Sequence, residues 1–185
     1  MENQQVFELL KRVAEKDEKA IRELYKAFSR KVYVFALNQL RNPAQAEEIV
    51  VDTMHEVWKH PTRFRGESKF STWLLGIARY KALSCLRARP PEHDDIDEMD
   101  DVLAGSDPDA FEQLAAQQQR EGVRRCMDKL PEDQRECLHL VYYEGASLTE
   151  VATLQQCPEN TVKTRVFHAR QKIKNCLRLM LEKEC

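Results

Sequence analysis

Long apolar runs are missing from this chain. No stretch approaches the roughly 18 consecutive apolar residues of a membrane span, and the opening MENQQVFELLKR lacks the apolar core of a signal peptide. Cytoplasmic residence without membrane insertion is therefore expected. Glycine is scarce, 5 in 185 residues, and the few Val/Ile/Tyr-rich runs do not alternate as strands do. Ala, Leu, Glu, Arg and Gln are abundant instead, which argues against a sheet protein and predicts an all-α fold. The 6 cysteines (Cys85, Cys126, Cys137, Cys157, Cys176 and Cys185) stand singly, with no CxxC pair and no His at zinc-finger spacing. Neither a disulfide framework nor a zinc module is indicated, and ordinary reduced thiols are expected. No constellation of nucleophile, base or metal ligands stands out, so no cofactor, small-molecule substrate or catalytic residue is assigned.

Net charge is also nearly absent, at -2, yet its distribution is uneven. Between Pro90 and Phe111 there are nine acidic residues and no Lys or Arg, which leaves 29 basic against 22 acidic groups on the other 163 residues. The neutral total hides a basic protein with an acidic insert. Because that insert is also poor in apolar periodicity, residues 90–111 read as a linker between two small helical domains, 1–89 and 112–185.

Helix signals fill both domains. Val6, Leu9, Leu10 and Val13 share one face, and Asp17 can cap a second helix with the apolar set Ala20, Ile21, Leu24, Tyr25, Phe28, Val32, Phe35 and Ala36. Asn42 followed by Pro43 starts a third, running to about Lys59, where His60-Pro61 stops it. Ser71 is placed to cap a fourth, to about Arg87. Beyond the linker, Leu114 to Leu130 and a segment from Pro131 to Glu144-Gly145 are helical. SLTE (Ser147 to Glu150) then fits a capping box opening a short helix. After the turn Gln156-Cys157-Pro158 comes a long basic helix, and two helices joined by so tight a turn form the helix-turn-helix pattern.

Three helix faces carry functional meaning. In the last helix, Val162, Val166, Ala169, Ile173 and Leu177 make an apolar stripe, while Lys163, Thr164, Phe167 and His168 lie opposite with Arg165 and Arg170 at the flanks. A major-groove helix needs such a set: cations for phosphates, Thr or His for base edges, and an apolar group for a thymine methyl. The bland alternative is a solvated amphipathic helix. From Lys59 to Arg89 eight basic residues face one acid, Glu67, and Arg63, Phe64, Arg65, Lys69, Phe70, Trp73, Arg79, Tyr80 and Lys81 interleave rings with cations. That mixture suits unstacked bases on a single strand, unless the rings pack into the core. The helix from Pro43 to Lys59 is the opposite: Glu47, Glu48, Asp52 and Glu56, with no Lys or Arg before its last residue. Its core face of Ala46, Ile49, Val50, Thr53 and Val57 leaves Glu48, Val51, Asp52, His55 and Trp58 outward, a mixed acidic and apolar surface for a basic protein partner. A metal site on Glu48, Asp52 and His55 finds no supporting ligands elsewhere.

In these segments the chain resembles the two-domain bacterial RNA polymerase sigma factors of the extracytoplasmic function (ECF) group, in the sigma-70 family. NPAQAEEIVVDTMHEVWKH resembles the family's core-polymerase-binding segment, FSTWLLGIARYKALSCLRAR its -10-recognising and melting segment, and LPEDQRECLHLVYYEGASLTEVATLQQCPENTVKTRVFHARQKIK its -35-reading domain. The resemblance implies RNA polymerase core and promoter DNA as partners, an anti-sigma factor as a further one, and no chemistry of its own. It implies core binding by Glu48, Val51, Asp52, His55 and Trp58, -10 recognition and melting by the residues named between Arg63 and Lys81, and -35 reading by Lys163, Thr164, Arg165, Phe167, His168 and Arg170. The chain departs from the family pattern at Val51 (usually Gln), Met54 (usually aromatic), Gln156 (usually Gly) and His168 (commonly basic). The rival readings are an autonomous helix-turn-helix regulator, which would bind duplex tightly without polymerase, and a carboxylate-metal enzyme.

Overall fold

The computed structural model describes residues 1–88 and 121–182. The chain divides into two compact units, considered separately below. The acidic segment 90–111 and the start of the helix expected from Leu114 lie outside the described residues.

The N-terminal unit contains α1 (Asn3–Ala14), α2 (Glu18–Leu40), α3 (Pro43–Lys59), a 3-10 turn (Pro61–Arg63) and α4 (Phe70–Ala88). Local signals set most boundaries. The Asp17 carboxylate accepts from the Lys19 N–H at 2.8 Å, and the Asn42 side chain accepts from the Gln45 N–H at 3.0 Å with Pro43 in the first turn. Helix α2 ends where Arg41 turns left-handed, at φ 54°. Burial of Val6, Leu10, Val13, Leu24, Phe28, Val32, Phe35, Ile49, Val50, Val57, Leu74, Leu75 and Ala78 builds a single core, and each large side chain among them stabilises by about 1.5–3 kcal/mol. Tyr25 leaves the apolar set assigned to it and is exposed, because the α2 stripe narrows to Ala20, Leu24 and Phe28 there. Ser71 is not the cap of α4. The helix begins one residue earlier, and the first N–H, that of Phe70, is satisfied across the fold by the Asn3 side chain at 3.0 Å.

The C-terminal unit contains α5 (residues 121–128), α6 (Glu132–Leu138) continued by a π turn (His139–Tyr143), α7 (Leu148–Gln155) and α8 (Glu159–Leu181). Gly145, at φ 63°, follows the π turn. The capping box is complete: the Ser147 hydroxyl accepts from the Glu150 N–H at 3.2 Å, and the Glu150 carboxylate accepts from the Ser147 N–H at 2.8 Å. Gln156 takes φ 52° at the turn where the family favours Gly, a left-handed conformation costing a non-glycine residue roughly 1 kcal/mol. The core joins Leu130, Leu138 and Ala169 to the half-buried Met127, Val166 and Ile173, with Val151, Val162 and Leu140 fully buried.

The expectation of ordinary thiols fails at one pair. Cys126 of α5 and Cys176 of α8 are joined in a disulfide with Cα atoms 5.8 Å apart. Packing of two helices 50 residues apart in sequence brings them together, a proximity that single-cysteine spacing does not reveal. Cys137 is buried and free, its thiol pushed up to about 11 chiefly by that burial.

Candidate polymerase and promoter interfaces

On α3 the core face is as expected: Ala46, Ile49, Val50, Thr53 and Val57 are buried, joined by Met54. Opposite them Glu47, Glu48, Val51, Asp52 and His55 are exposed, Val51 by 60%. A valine this open beside carboxylates is unexplained by the fold. Asp52 is not isolated, since Lys81 of α4 reaches it at 3.6 Å. Trp58 departs from the outward position assigned to it: it is half-buried, with the Lys16 ammonium 5.1 Å from its ring centroid. Of the residues assigned to core binding, Glu48, Val51, Asp52 and His55 are therefore the open ones.

Between α3 and α4 the interleaved rings and cations separate. Phe64 and Phe70 are buried and Trp73 is half-buried, with centroids 5.2 Å apart for Phe64 and Phe70 and 5.5 Å from Trp73 to each. Phe28 adds an edge contact to Phe70 at 4.9 Å. These rings hold the unit together, so Phe64 and Phe70 cannot stack on bases as expected of them. Phe64, in the loop, turns inward onto Phe7 of α1, and Phe70, at the start of α4, turns inward onto Phe28 of α2. Tyr80, about two turns beyond Trp73, is 73% exposed. Arg63, Arg65 and Lys69 are exposed, Arg63 paired with Glu56, while Arg79 and Lys81 are half-buried. Exposed in this segment are one ring, Tyr80, and the cations Arg63, Arg65 and Lys69.

On α8 the polar face is intact. Lys163, Thr164, Phe167, His168 and Arg170 are exposed, Phe167 by 59%, with its ring centroid 5.5 Å from that of His168. Directly opposite, Val162 and Ala169 have no exposure. Lys163 is held 2.8 Å from Glu159, one turn back. Arg165 differs from its assignment. It donates to the Asp133 carboxylate at 2.6 Å and to the Gln155 side-chain oxygen Oε1 at 2.6 Å, with Cys157 Sγ at 3.6 Å. The guanidinium thus ties α8 to α6 and α7, and is committed before any phosphate arrives. Gln134 and Asn160, which the wheel of α8 alone did not single out, line a shallow groove with Thr161, Thr164, Arg165 and His168. Asn160 was detectable, lying one turn before Thr164 on the same face. Gln134 was not, because it comes from another helix.

Comparison with known proteins settles the family. The chain matches the family described as Sigma-70 region 2 over residues 24–90 and the one described as Sigma-70, region 4 over residues 120–173. The RNA polymerase sigma-H factor of Pseudomonas aeruginosa is 30% identical over 182 residues, 94% of each chain. The ECF RNA polymerase sigma factor SigK of Mycobacterium tuberculosis is 31% identical over 173 residues, 91% of each. This chain is an ECF RNA polymerase sigma factor. It is thus an alternative sigma factor directing promoter-specific transcription, and the reading as an autonomous regulator gives way. Two solved structures share the sigma fold: RpoE of Bartonella quintana in complex with the anti-sigma factor NepR (TM-score 0.66, 22% identity, 86% of this chain and 98% of that one) and CnrH in complex with the cytosolic domain of CnrY (TM-score 0.65, 20% identity, 95% and 98%). In this sigma factor the region 2 match takes in α3, the loop after it and α4, and the region 4 match takes in the helix-turn-helix. Among the described residues no helix is long and apolar enough to cross a membrane.

Proposed function

We propose that this sigma factor divides its work among the three faces. The N-terminal domain, residues 1–89, docks on RNA polymerase core through Glu48, Val51, Asp52 and His55 of α3, an acidic and apolar surface suited to a basic partner. The same domain holds the opened non-template strand of the -10 element with Tyr80 and the cations Arg63, Arg65, Lys69, Arg79 and Lys81, offsetting the few kcal/mol each extruded base costs. The C-terminal domain, residues 112–185, reads the -35 element in the major groove. Lys163 and Arg170 contact phosphates there, and Thr164, Phe167 and His168 contact base edges and methyl groups. The acidic linker 90–111 joins the two domains. The polymerase makes the bonds, so the sigma factor contributes binding energy and no chemistry of its own. It works in the cytoplasm, and an anti-sigma factor of the kind bound to the solved relatives restrains it.

The observation that supports this reading best is on α8: an exposed Phe167 among Thr164, His168 and Arg170, directly opposite the fully buried Val162 and Ala169. The test is run-off transcription from promoters selected out of randomised upstream sequence, with purified core polymerase and this sigma factor. Wild type should enrich one upstream sequence, and Phe167→Ala and His168→Arg should each enrich a different one. Identical preferred sequences from all three proteins would refute base reading by this face.

A further inference from the structure

Helix α1 lies ahead of the region 2 match, which begins at residue 24. Its contacts nevertheless converge on the loop between α3 and α4. Asn3 spans the end of that loop with both ends of its amide: Nδ2 donates to the Ser68 carbonyl at 2.9 Å, and Oδ1 accepts from the Phe70 N–H at 3.0 Å. One turn along the same face of α1, Phe7 packs its ring 5.1 Å from that of Phe64. The Phe7 ring also closes over Gly66, where an added Cβ would lie 2.8 Å from Phe7 Cζ on a backbone already at φ 78°. Only glycine suits that position.

The pattern alternates. Residues 64, 68 and 70 are each held by α1 and Gly66, though exposed, lies against Phe7, while the residues between them, Arg65, Glu67 and Lys69, are exposed. Residues 64–69 form no helix or strand, so backbone groups here depend on side chains for partners. A loop pinned at every second residue presents the intervening side chains at defined spacing, whereas a free loop would have to be ordered at the moment of binding.

We infer that α1 is the positioning element for -10 recognition, with Asn3 and Phe7 as positioning residues that set Arg65, Glu67 and Lys69 against the unpaired strand. The inference rests on the proposed role of this loop and extends it to a helix outside the family match. Arg65 and Lys69 supply charge to the strand. Glu67, the one acid from Lys59 to Arg89, accepts from an exocyclic amino group of an unstacked base, because its carboxylate is repelled by phosphate.

The experiment compares run-off transcription by holoenzyme on a preferred promoter and on a set carrying single changes in the -10 element, with the full-length sigma factor throughout. Asn3→Ala removes both amide bonds. Gly66→Ala displaces the loop from Phe7 without touching charge, and stands in should Asn3→Ala fail to fold. Each should lower discrimination among -10 sequences by about tenfold, the scale of one displaced base contact, while discrimination among -35 sequences stays unchanged. Gln4→Ala, at an exposed position of the same helix, should match wild type. A helix that merely stabilised the domain would lower output from every promoter by one common factor, so an unchanged ratio in Asn3→Ala and Gly66→Ala overturns the inference. Arg65→Ala with Lys69→Ala separates the two levels. If this pair impairs strand opening while Asn3→Ala and Gly66→Ala keep the ratio, α1 has no positioning role and the loop reading stands. If the pair leaves strand opening intact, the loop reading fails and takes the inference with it.

Discussion

Helices α4 and α8 carry the same signal, aromatic rings among cations, and put it to opposite uses. At the start of α4 the rings of Phe70 and Trp73 join Phe64 and Phe28 inside the unit, and only Tyr80 remains open. In α8 the single ring, Phe167, points to solvent while its cations divide: Arg170 stays exposed and Arg165 is drawn into ion-paired contact with Asp133. The difference comes from what lies across from each ring. Phe70 and Phe64 meet other rings brought by α1 and α2, whereas the side of α8 bearing Phe167 faces away from the Leu130, Leu138 and Ala169 core. A ring among cations is thus a surface only where no other element arrives to cover it.

That comparison breaks most visibly under alanine substitution of the two phenylalanines. Phe70→Ala should destabilise the N-terminal unit by about 3–5 kcal/mol, as loss of a fully buried ring does. Phe167→Ala should change stability by no more than about 0.5 kcal/mol and alter promoter choice instead. Urea unfolding followed by far-UV circular dichroism checks both. A Phe70→Ala protein as stable as wild type would mean that the cluster is peripheral.

Next in size is the disulfide, which the described residues show only in the C-terminal unit. Closing a loop over 50 residues of sequence stabilises by up to about 4 kcal/mol in the chain-entropy account. Reductant should therefore lower the melting temperature of the C-terminal unit and leave the N-terminal one in place. Cys176→Ser should melt at the reduced temperature with or without reductant. Equal melting of oxidised and reduced wild type would remove the bond from the stability of the fold.

The two arginines of α8 then sharpen the contrast within one helix. Arg165→Ala leaves Asp133 and Gln155 without their shared donor, so it should cost about 1.5–3 kcal/mol, the worth of hydrogen bonds involving a charged group. Its effect on the salt dependence of promoter binding should be slight. Arg170→Ala should do the reverse, sparing stability and reducing the slope of log affinity against log salt by about 0.9. Binding titrations from low to moderate salt distinguish them, and equal slopes for the two variants would return Arg165 to the phosphate-contacting set.

What was legible in the sequence was local. The caps at Asp17, Asn42 and Ser147 act within three residues, so their helices and most boundaries follow from short patterns, and the α8 face follows from a single helix wheel. What was hidden depends on distant partners. Asn3 caps α4 from 67 residues away, Asp133 reaches Arg165 across 32, and Cys126 meets Cys176 across 50. Phe64, Phe70 and Arg165 have partners within the fold for this one reason: composition marks a residue as suited to DNA, but packing brings other groups to it. Trp58, half-buried with Lys16 over its ring, follows the same rule.

The smallest effect separates two carboxylates, one at the start of a helix in each unit. Asp17 is held below its ordinary range first by the hydrogen bond from Arg12 and then by that from the Lys19 N–H. Glu159 is held low first by the hydrogen bond from Lys163 and then by that from the Thr149 hydroxyl, whose oxygen lies 2.9 Å away. Both also stand where a helix N-terminus favours negative charge. Because each group binds its proton less tightly when folded, its contribution is complete above the ordinary carboxylate value and disappears as pH falls through the lowered folded value. Asp17→Asn should therefore blunt the acid sensitivity of the N-terminal unit alone, and Glu159→Gln that of the C-terminal unit alone, in melts between about pH 5 and 3. Glu159→Gln has a second consequence that Asp17→Asn lacks: it releases Lys163 from its ion pair on the promoter-facing side of α8. Promoter affinity at low salt should then rise slightly, with a steeper salt slope. An unchanged slope would mean that Lys163 leaves Glu159 for phosphate at no cost, or never contacts phosphate, and Lys163→Ala in the Glu159→Gln background decides between these by whether the slope falls.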